Sequence, residues 1–339
     1  MTHSAQGGIL PCQSIEDLIA QGAVTSATPF DLDQVQPASL DLRLGARAWR
    51  VRASFLPRYD RTVASRILDV AMHELDLTRG AVLEKGCVYI AELQERLALP
   101  PGISARANPK SSTGRVDCSV RLLSDNQPAF DDVQAGYHGP TYVEIAPQTF
   151  SILVRTGTRL NQLRLKTGEP PKLKTVSVGV DLTDGVAGFR ARRHAGVIDM
   201  DHVDGHDPRN YWEPLIPRNG ELLLDPGEFY ILASKEAIEI PVLEAAEMTP
   251  IDPSVGEFRV HYAGFFDPGF GTEEANAVGS RGVLEVRSHE TPFLLEDGQV
   301  VARMVYEPLT ARPARLYGQN GSHYQRQGLK LSKHFQPWE

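Results

Sequence analysis

Residues 110–115, Lys110-Ser111-Ser112-Thr113-Gly114-Arg115, set two adjacent hydroxyls between two cations, with a glycine to relax the backbone. Cations supply charge, and hydroxyls and loop amides supply donors, which is what a polyphosphate needs. The Gly-x4-Gly-Lys frame of a Walker loop is absent, and the same residues also describe an ordinary solvated turn. A second candidate is residues 263–271, Ala263-Gly264-Phe265-Phe266-Asp267-Pro268-Gly269-Phe270-Gly271. Here an Asp-Pro-Gly turn is flanked by aromatics that could wall a flat ring. The third is Glu285, the one carboxylate in the apolar run Gly282-Val283-Leu284-Glu285-Val286. A carboxylate so placed is either paired with Arg or Lys or has a raised pKa. Last comes a donor-rich, polar tail from Tyr317 through His323-Tyr324-Gln325-Arg326-Gln327-Gly328. By composition it is a disordered end or a lid that closes on a ligand.

The bulk of the chain narrows the ligand. A formal net charge of −8 over 339 residues argues against a general nucleic-acid or membrane-surface binder. A polyanionic small molecule would therefore have to be met by a local basic cluster such as 110–115. Cys12, Cys87 and Cys118 are too few and too scattered for a disulfide framework. With no Cys-x-x-Cys, neither a structural zinc site nor a zinc-deaminase site is legible, so no metal-ligating residue is assigned. The polar opening and the absence of an 18-residue apolar span make cytoplasm the expected location and a membrane no partner.

The elements that must position these residues read as mostly β. Ser14 to Gly22 is the one clear helix, with Ser14 as N-cap and Gly22 as stop. Strict alternation in Leu40-Asp41-Leu42-Arg43-Leu44 and in 47–52 predicts half-buried strands, and 29 Gly with 24 Pro break the remainder into short runs. An internal repeat organises the whole. Leu83-Glu84-Lys85-Gly86-Cys87-Val88-Tyr89-Ile90 matches Leu224-Asp225-Pro226-Gly227-Glu228-Phe229-Tyr230-Ile231, 141 positions on. The same offset carries Glu95 onto Glu236, Pro109 onto Pro250 and Glu144 onto Glu285. The repeat predicts two homologous β domains, 1–169 and 170–339, joined by a polar, Pro-rich linker near 166–172. The halves differ where chemistry would sit. At this offset Lys110, Ser111, Ser112 and Arg115 fall on Ile251, Asp252, Pro253 and Gly256, while the first half has no counterpart of the Asp-Pro-Gly turn.

Taken together, these motifs resemble the dCTP deaminase family of the trimeric dUTPase-like superfamily, in two fused copies. The resemblance rests on Gln36-Pro37-Ala38-Ser39-Leu40-Asp41-Leu42-Arg43-Leu44-Gly45, the Ser-Ser loop 110–115, the hairpin 263–271, Glu285 after it, and the lid 317–335. Pro109-Lys110 stands where Gly-Arg is usual and His323 where Lys is common, and the motifs are divided between the copies. The resemblance implies a distorted jelly roll or β-barrel with few short helices. In that family the site forms between subunits of a trimer, the Ser-Ser loop from one and the hairpin from its neighbour. A fused duplicate whose halves each kept one contribution fits that arrangement, and a homo-oligomer is expected.

The function implied is hydrolysis of dCTP to dUTP and ammonia. Glu285 would be the proton shuttle, and Ser111 and Arg115 would hold the water or the oxyanion. Ala263 would contact the base through its backbone, and Phe265, Phe266 and Phe270 would wall the base or the sugar. Lys110, Ser112, Asp267, Tyr317, Tyr324 and Gln327 complete the expected substrate contacts, the first two and Gln327 at the triphosphate. Mg²⁺ would ride on the phosphates. The other readings are a dUTP diphosphatase, a bifunctional enzyme forming dUMP, and a non-catalytic nucleotide-binding protein.

Overall fold

The computed structural model describes residues 7–168, 173–183, 185–251, 264–288, 290–319 and 322–339, and the backbone alone of 258–260. Ala263 and most of the expected linker, 169–172, lie outside the described residues. The first helix runs Cys12–Ala20, with Pro11 rather than Ser14 at the N-cap. Ser14 N–H instead donates to the Pro11 carbonyl at 2.9 Å, which starts the helix nearly a turn early. Gly22, at φ +77°, ends it as expected. A second helix, Val63–Val70, was not anticipated; Thr62 caps it by accepting from Ser65 N–H at 3.1 Å. Its buried residues Val63, Ile67 and Val70 follow helical spacing and pack on Ile90, Leu123 and Tyr142.

The rest is mostly antiparallel sheet, as the sequence predicts. In the first half one six-stranded sheet has Ile103–Pro109, Asn161–Thr167 and Ser39–Leu42 at its centre. A second has Cys118–Ser124, His138–Pro147, Val88–Ala98 and Leu44–Val51 side by side. The second half repeats the pattern with shorter strands. Phe229–Ala237 and Arg281–Ser288 correspond to Val88–Ala98 and His138–Pro147, and Glu244–Pro250 falls on Ile103–Pro109 at the 141 offset. Register is kept as well: Glu144 lies opposite Ile90, and Glu285 opposite Ile231. Strand order and register at these positions thus recur between the two halves of the chain. They share packing, since the larger apolar core combines first-half residues such as Phe150 and Val120 with Trp212, Phe229, Val283 and Phe335. No helix among the described residues is long and apolar enough to cross a membrane.

Candidate active site

The Ser-Ser loop forms the short turn of helix Ser111–Gly114, with Lys110 before it and Arg115 at its end. It follows the strand Ile103–Pro109 and is met from the second half on two sides. Gly264 passes so close that a Cβ on it would lie 2.8 Å from both Ser111 N and Ser111 Oγ. On the other side stands Glu285, in the strand Arg281–Ser288 and only 1% exposed. A Cβ on Gly114 would collide with its carboxylate, at 2.8 Å from Cδ. Only a residue without a side chain lets the loop and the carboxyl approach this closely. Gly114→Ala should therefore cut kcat by about 10²-fold, the effect of an ångström-scale misplacement, while the melting temperature shows that the fold survives. Wild-type turnover in this variant would mean that Glu285 need not abut the loop.

Glu285 Oε2 is buried and has no hydrogen-bond partner among the described residues. Burial raises the carboxyl well above the ordinary carboxylate range, with Arg115 pulling it down and Asp117 pushing it up. Around it Ser111, Arg115, Phe265, Phe266, Asp267, Phe270, Tyr317, Tyr324 and Gln327 line an inner cavity of about 20 Å³. That is room for roughly one water but not for a pyrimidine ring. A base can enter only if the aromatic wall or the tail gives way. Phe266 and Phe270 meet edge to face at 5.3 Å, and Phe270 reaches Tyr317 at 5.7 Å.

The inner cavity shares Ser111, Phe265, Asp267, Tyr317 and Tyr324 with an outer cleft of about 220 Å³. Lys110 and Ser112 line this cleft, joined by Arg159, Arg315, His323 and Lys333. Lys110 is paired with the buried carboxylate of Asp41, and Arg159 reaches Asp31 at 2.6 Å and Asp33 at 2.9 Å. Burial lowers the Lys333 ammonium pKa, as do the neighbouring cations Lys110 and Arg159. The cleft is lined by the cations Lys110, Arg159, Arg315 and Lys333 beside the carboxylates Asp33, Asp41 and Asp267, a small cationic surplus that favours an anionic occupant.

The tail is packed rather than loose. Tyr324 stacks on the Arg115 guanidinium at 3.9 Å, and its hydroxyl accepts from Lys333 N–H at 3.0 Å. Gln327, expected at the triphosphate, is placed instead in the inner cavity. Its Oε1 accepts from Arg115 at 3.0 Å, while its amide donates to the Arg281 carbonyl at 2.8 Å. The Ser332 hydroxyl donates to the Ser112 carbonyl at 2.8 Å, fastening the tail to the Ser-Ser loop.

Arg159, Lys333 and Asp41 line the cleft without having been singled out in the sequence. Asp41 was legible only as a charged position in an alternating strand, and Lys333 only as one cation in a polar tail. The repeat partner Glu144 has a different fate from Glu285. Arg121, directly opposite it in the ladder, donates to its carboxylate from Nε at 3.0 Å, and Phe130 covers the guanidinium at 3.8 Å.

Comparison with known proteins accords with this geometry. The family model for the N-terminal domain of 2'-deoxycytidine 5'-triphosphate deaminase matches residues 6–169, and that for its C-terminal domain matches residues 153–335. The chain belongs to the dCTP deaminase family. A crystal structure of 2'-deoxycytidine 5'-triphosphate deaminase from Agrobacterium tumefaciens superposes with a TM-score of 0.85 at 51% identity, covering 90% of this chain and 99% of that one. A dCTP deaminase of Halorubrum lacusprofundi is 30% identical over 159 residues, 46% of this chain and 75% of that protein. A dUMP-forming dCTP deaminase of Beutenbergia cavernae is 28% identical over 204 residues, 58% of this chain and all of its own length. The dCTP deaminase likeness thus spans both halves, and so includes the Ser-Ser loop of the first and the hairpin and Glu285 of the second.

Proposed function

We propose that the chain hydrolyses dCTP to dUTP and ammonia, with Glu285 as the proton shuttle and without zinc. The observation that carries this reading is the buried, unpartnered Glu285 carboxyl facing Ser111 and Arg115 across a cavity with room for one water. A carboxyl held protonated by burial can give its proton to N3 of cytosine, which makes C4 more electrophilic. The carboxylate so formed takes a proton from the water as its oxygen bonds to C4. That proton passes to the leaving amine, ammonia departs as the C4–N bond breaks, and the C4 hydroxyl returns a proton to Glu285 as it becomes the carbonyl. Ser111 and Arg115 supply donors to the water and to the oxygen as charge develops on it. Among the described residues no three His, Cys, Asp or Glu side chains gather as a metal site, and the proposed steps use none.

The base would lie against Phe265, Phe266 and Phe270, with the triphosphate in the outer cleft. A triphosphate brings Mg²⁺ with it, and the Asp41 oxygen that lacks a hydrogen-bond partner is the protein group suited to face such an ion. The metal would neutralise phosphate charge. We read residues 1–169 and 170–339 as two diverged copies that divide one site between them. The contacts between loop, hairpin and Glu285 then form within a single chain, where the family resemblance implies contacts between subunits.

Incubation with dCTP and Mg²⁺, with ammonia, dUTP and dUMP all measured, tests the reading. Ammonia and dUTP in equal amounts, from protein without stoichiometric zinc, are expected. Pyrophosphate and dUMP formed from dUTP would show a diphosphatase activity, and binding without ammonia would refute the assignment. The cleft makes its own prediction. Lys110→Ala and Lys333→Met should each raise the KM for dCTP roughly tenfold or more while kcat stays within a few-fold, because both cations meet the phosphates before and during the reaction. Unchanged KM in both would move the triphosphate elsewhere.

A further inference from the structure

Arg164 is a charged side chain with no place in the proposed proton transfers, yet it is 1% exposed. It lies on the first-half strand Asn161–Thr167, where Leu163 and Leu165 turn into the core and Gln162 and Arg164 point the other way. Its guanidinium crosses into the second half. There Ala246 and Phe266 exchange two backbone hydrogen bonds of 2.9 Å, the isolated bridge that anchors the aromatic hairpin. Arg164 donates to the carbonyls of both, at 3.2 Å each. It also approaches Asp267 Oδ1 at 3.4 Å and stacks on the Phe265 ring at 3.9 Å. Phe265 and Asp267 both line the inner cavity and the outer cleft, where a sugar would lie between base and phosphates.

We propose that Arg164 is a positioning residue for the nucleotide, a guanidinium supplied by the first half that fixes the Phe265 ring and the Asp267 carboxylate of the second half at the junction of cavity and cleft. Planar, five-donor geometry suits this task, since one side chain can serve two carbonyls, a carboxylate and a ring face. Asp267 so held presents an acceptor to a hydroxyl of the sugar. Charge matters as well as shape. Burial lifts Asp267 to about 6, Arg164 and Lys110 oppose the rise, and Asp41 adds to it, while the Tyr317 phenol also faces it. Arg164 in turn faces Glu247 and Glu307 besides Asp267. Without the guanidinium, Asp267 would hold its proton to higher pH and lose its strength as an acceptor.

This inference rests on the dCTP reading. It is tested by kcat/KM for dCTP across pH in Arg164→Gln and Arg164→Lys, alongside wild type and with melting temperatures. Arg164→Gln should raise KM roughly 10- to 100-fold, the range for a lost hydrogen bond to a charged group, and move the acid limb of the profile to higher pH. Arg164→Lys should raise KM but leave the acid limb in place, because it keeps the charge and loses the fork. A folded Arg164→Gln with wild-type KM and acid limb would overturn the proposal. If Arg164→Gln fails to fold, Arg164→Lys decides: a wild-type KM there overturns it. No ammonia from the wild-type protein would instead refute the deaminase reading itself.

Discussion

Glu285→Gln should lower kcat by roughly 10²–10⁴-fold, the contribution of a lost general acid–base, with the melting temperature preserved. The amide has the shape of the carboxyl but can neither give nor take the protons. Stability helps to separate chemistry from unfolding. The folded-state pKa of Glu285 is raised above its unfolded value, so the folded protein binds this proton more tightly. The associated stability is fully present below the unfolded pKa and is lost as pH rises toward the folded one. Gln carries no such ionisation, so the variant should be no less stable than wild type at neutral and alkaline pH. The control is Glu144→Gln. Glu144 occupies the same repeat position but is neutralised by Arg121, so kcat should stay within a few-fold whatever happens to stability. Equal partial losses in both variants would mean two working sites, and the reverse pattern would place the chemistry in the first half.

Arg115→Ala should abolish measurable turnover, a loss of at least about 10²-fold of the kind seen on removing an oxyanion donor. Three roles converge on this guanidinium, which is 4% exposed. It opposes the rise in the Glu285 pKa, it donates at 3.0 Å to both Gln327 Oε1 and the Lys330 carbonyl, and it carries the Tyr324 ring. Truncation leaves the buried Gln327 Oε1 and the partly buried Lys330 carbonyl without this donor, and an unpaired buried acceptor costs more than its bond contributes when made. It also pushes Glu285 further up, since Asp117 remains and the cation is gone. Arg115→Lys, which keeps charge without the fork, should recover part of kcat but not the tail contacts. The comparison needs kcat for both variants and limited proteolysis of the tail, which should be faster in each. Arg115→Ala with kcat within a few-fold of wild type would remove this residue from the reaction.

Fold class, the internal repeat and the local motifs were legible in the order of the residues alone, because each rests on short-range physics. Alternation marked the strands Ser39–Leu42 and Leu44–Val51, although 40–44 breaks at Arg43 and is buried on both faces rather than half-buried. Lys110-Ser111-Ser112-Thr113-Gly114-Arg115 carries its charge and donors wherever it lies. Even the divergence of the halves was legible, since a fixed offset puts Pro253 beneath Ser112 and Gly256 beneath Arg115. Long-range placement was not. Composition left the tail as lid or loose end, and only packing decided it, through Tyr324 on Arg115 and Ser332 on the Ser112 carbonyl. Gln327 went to the inner cavity because Arg115 and the Arg281 backbone satisfy both ends of its amide there. The helix Val63–Val70 escaped because a three-residue apolar stripe is a weak periodic signal beside so many strand-like runs. Arg164 shows the limit most clearly. Its alternation in Gln162-Leu163-Arg164-Leu165 says only that it faces away from the first-half core. What it faces instead is a carbonyl pair and an aspartate between 82 and 103 residues away in sequence, and only the docking of one half on the other brings a partner from that distance into contact.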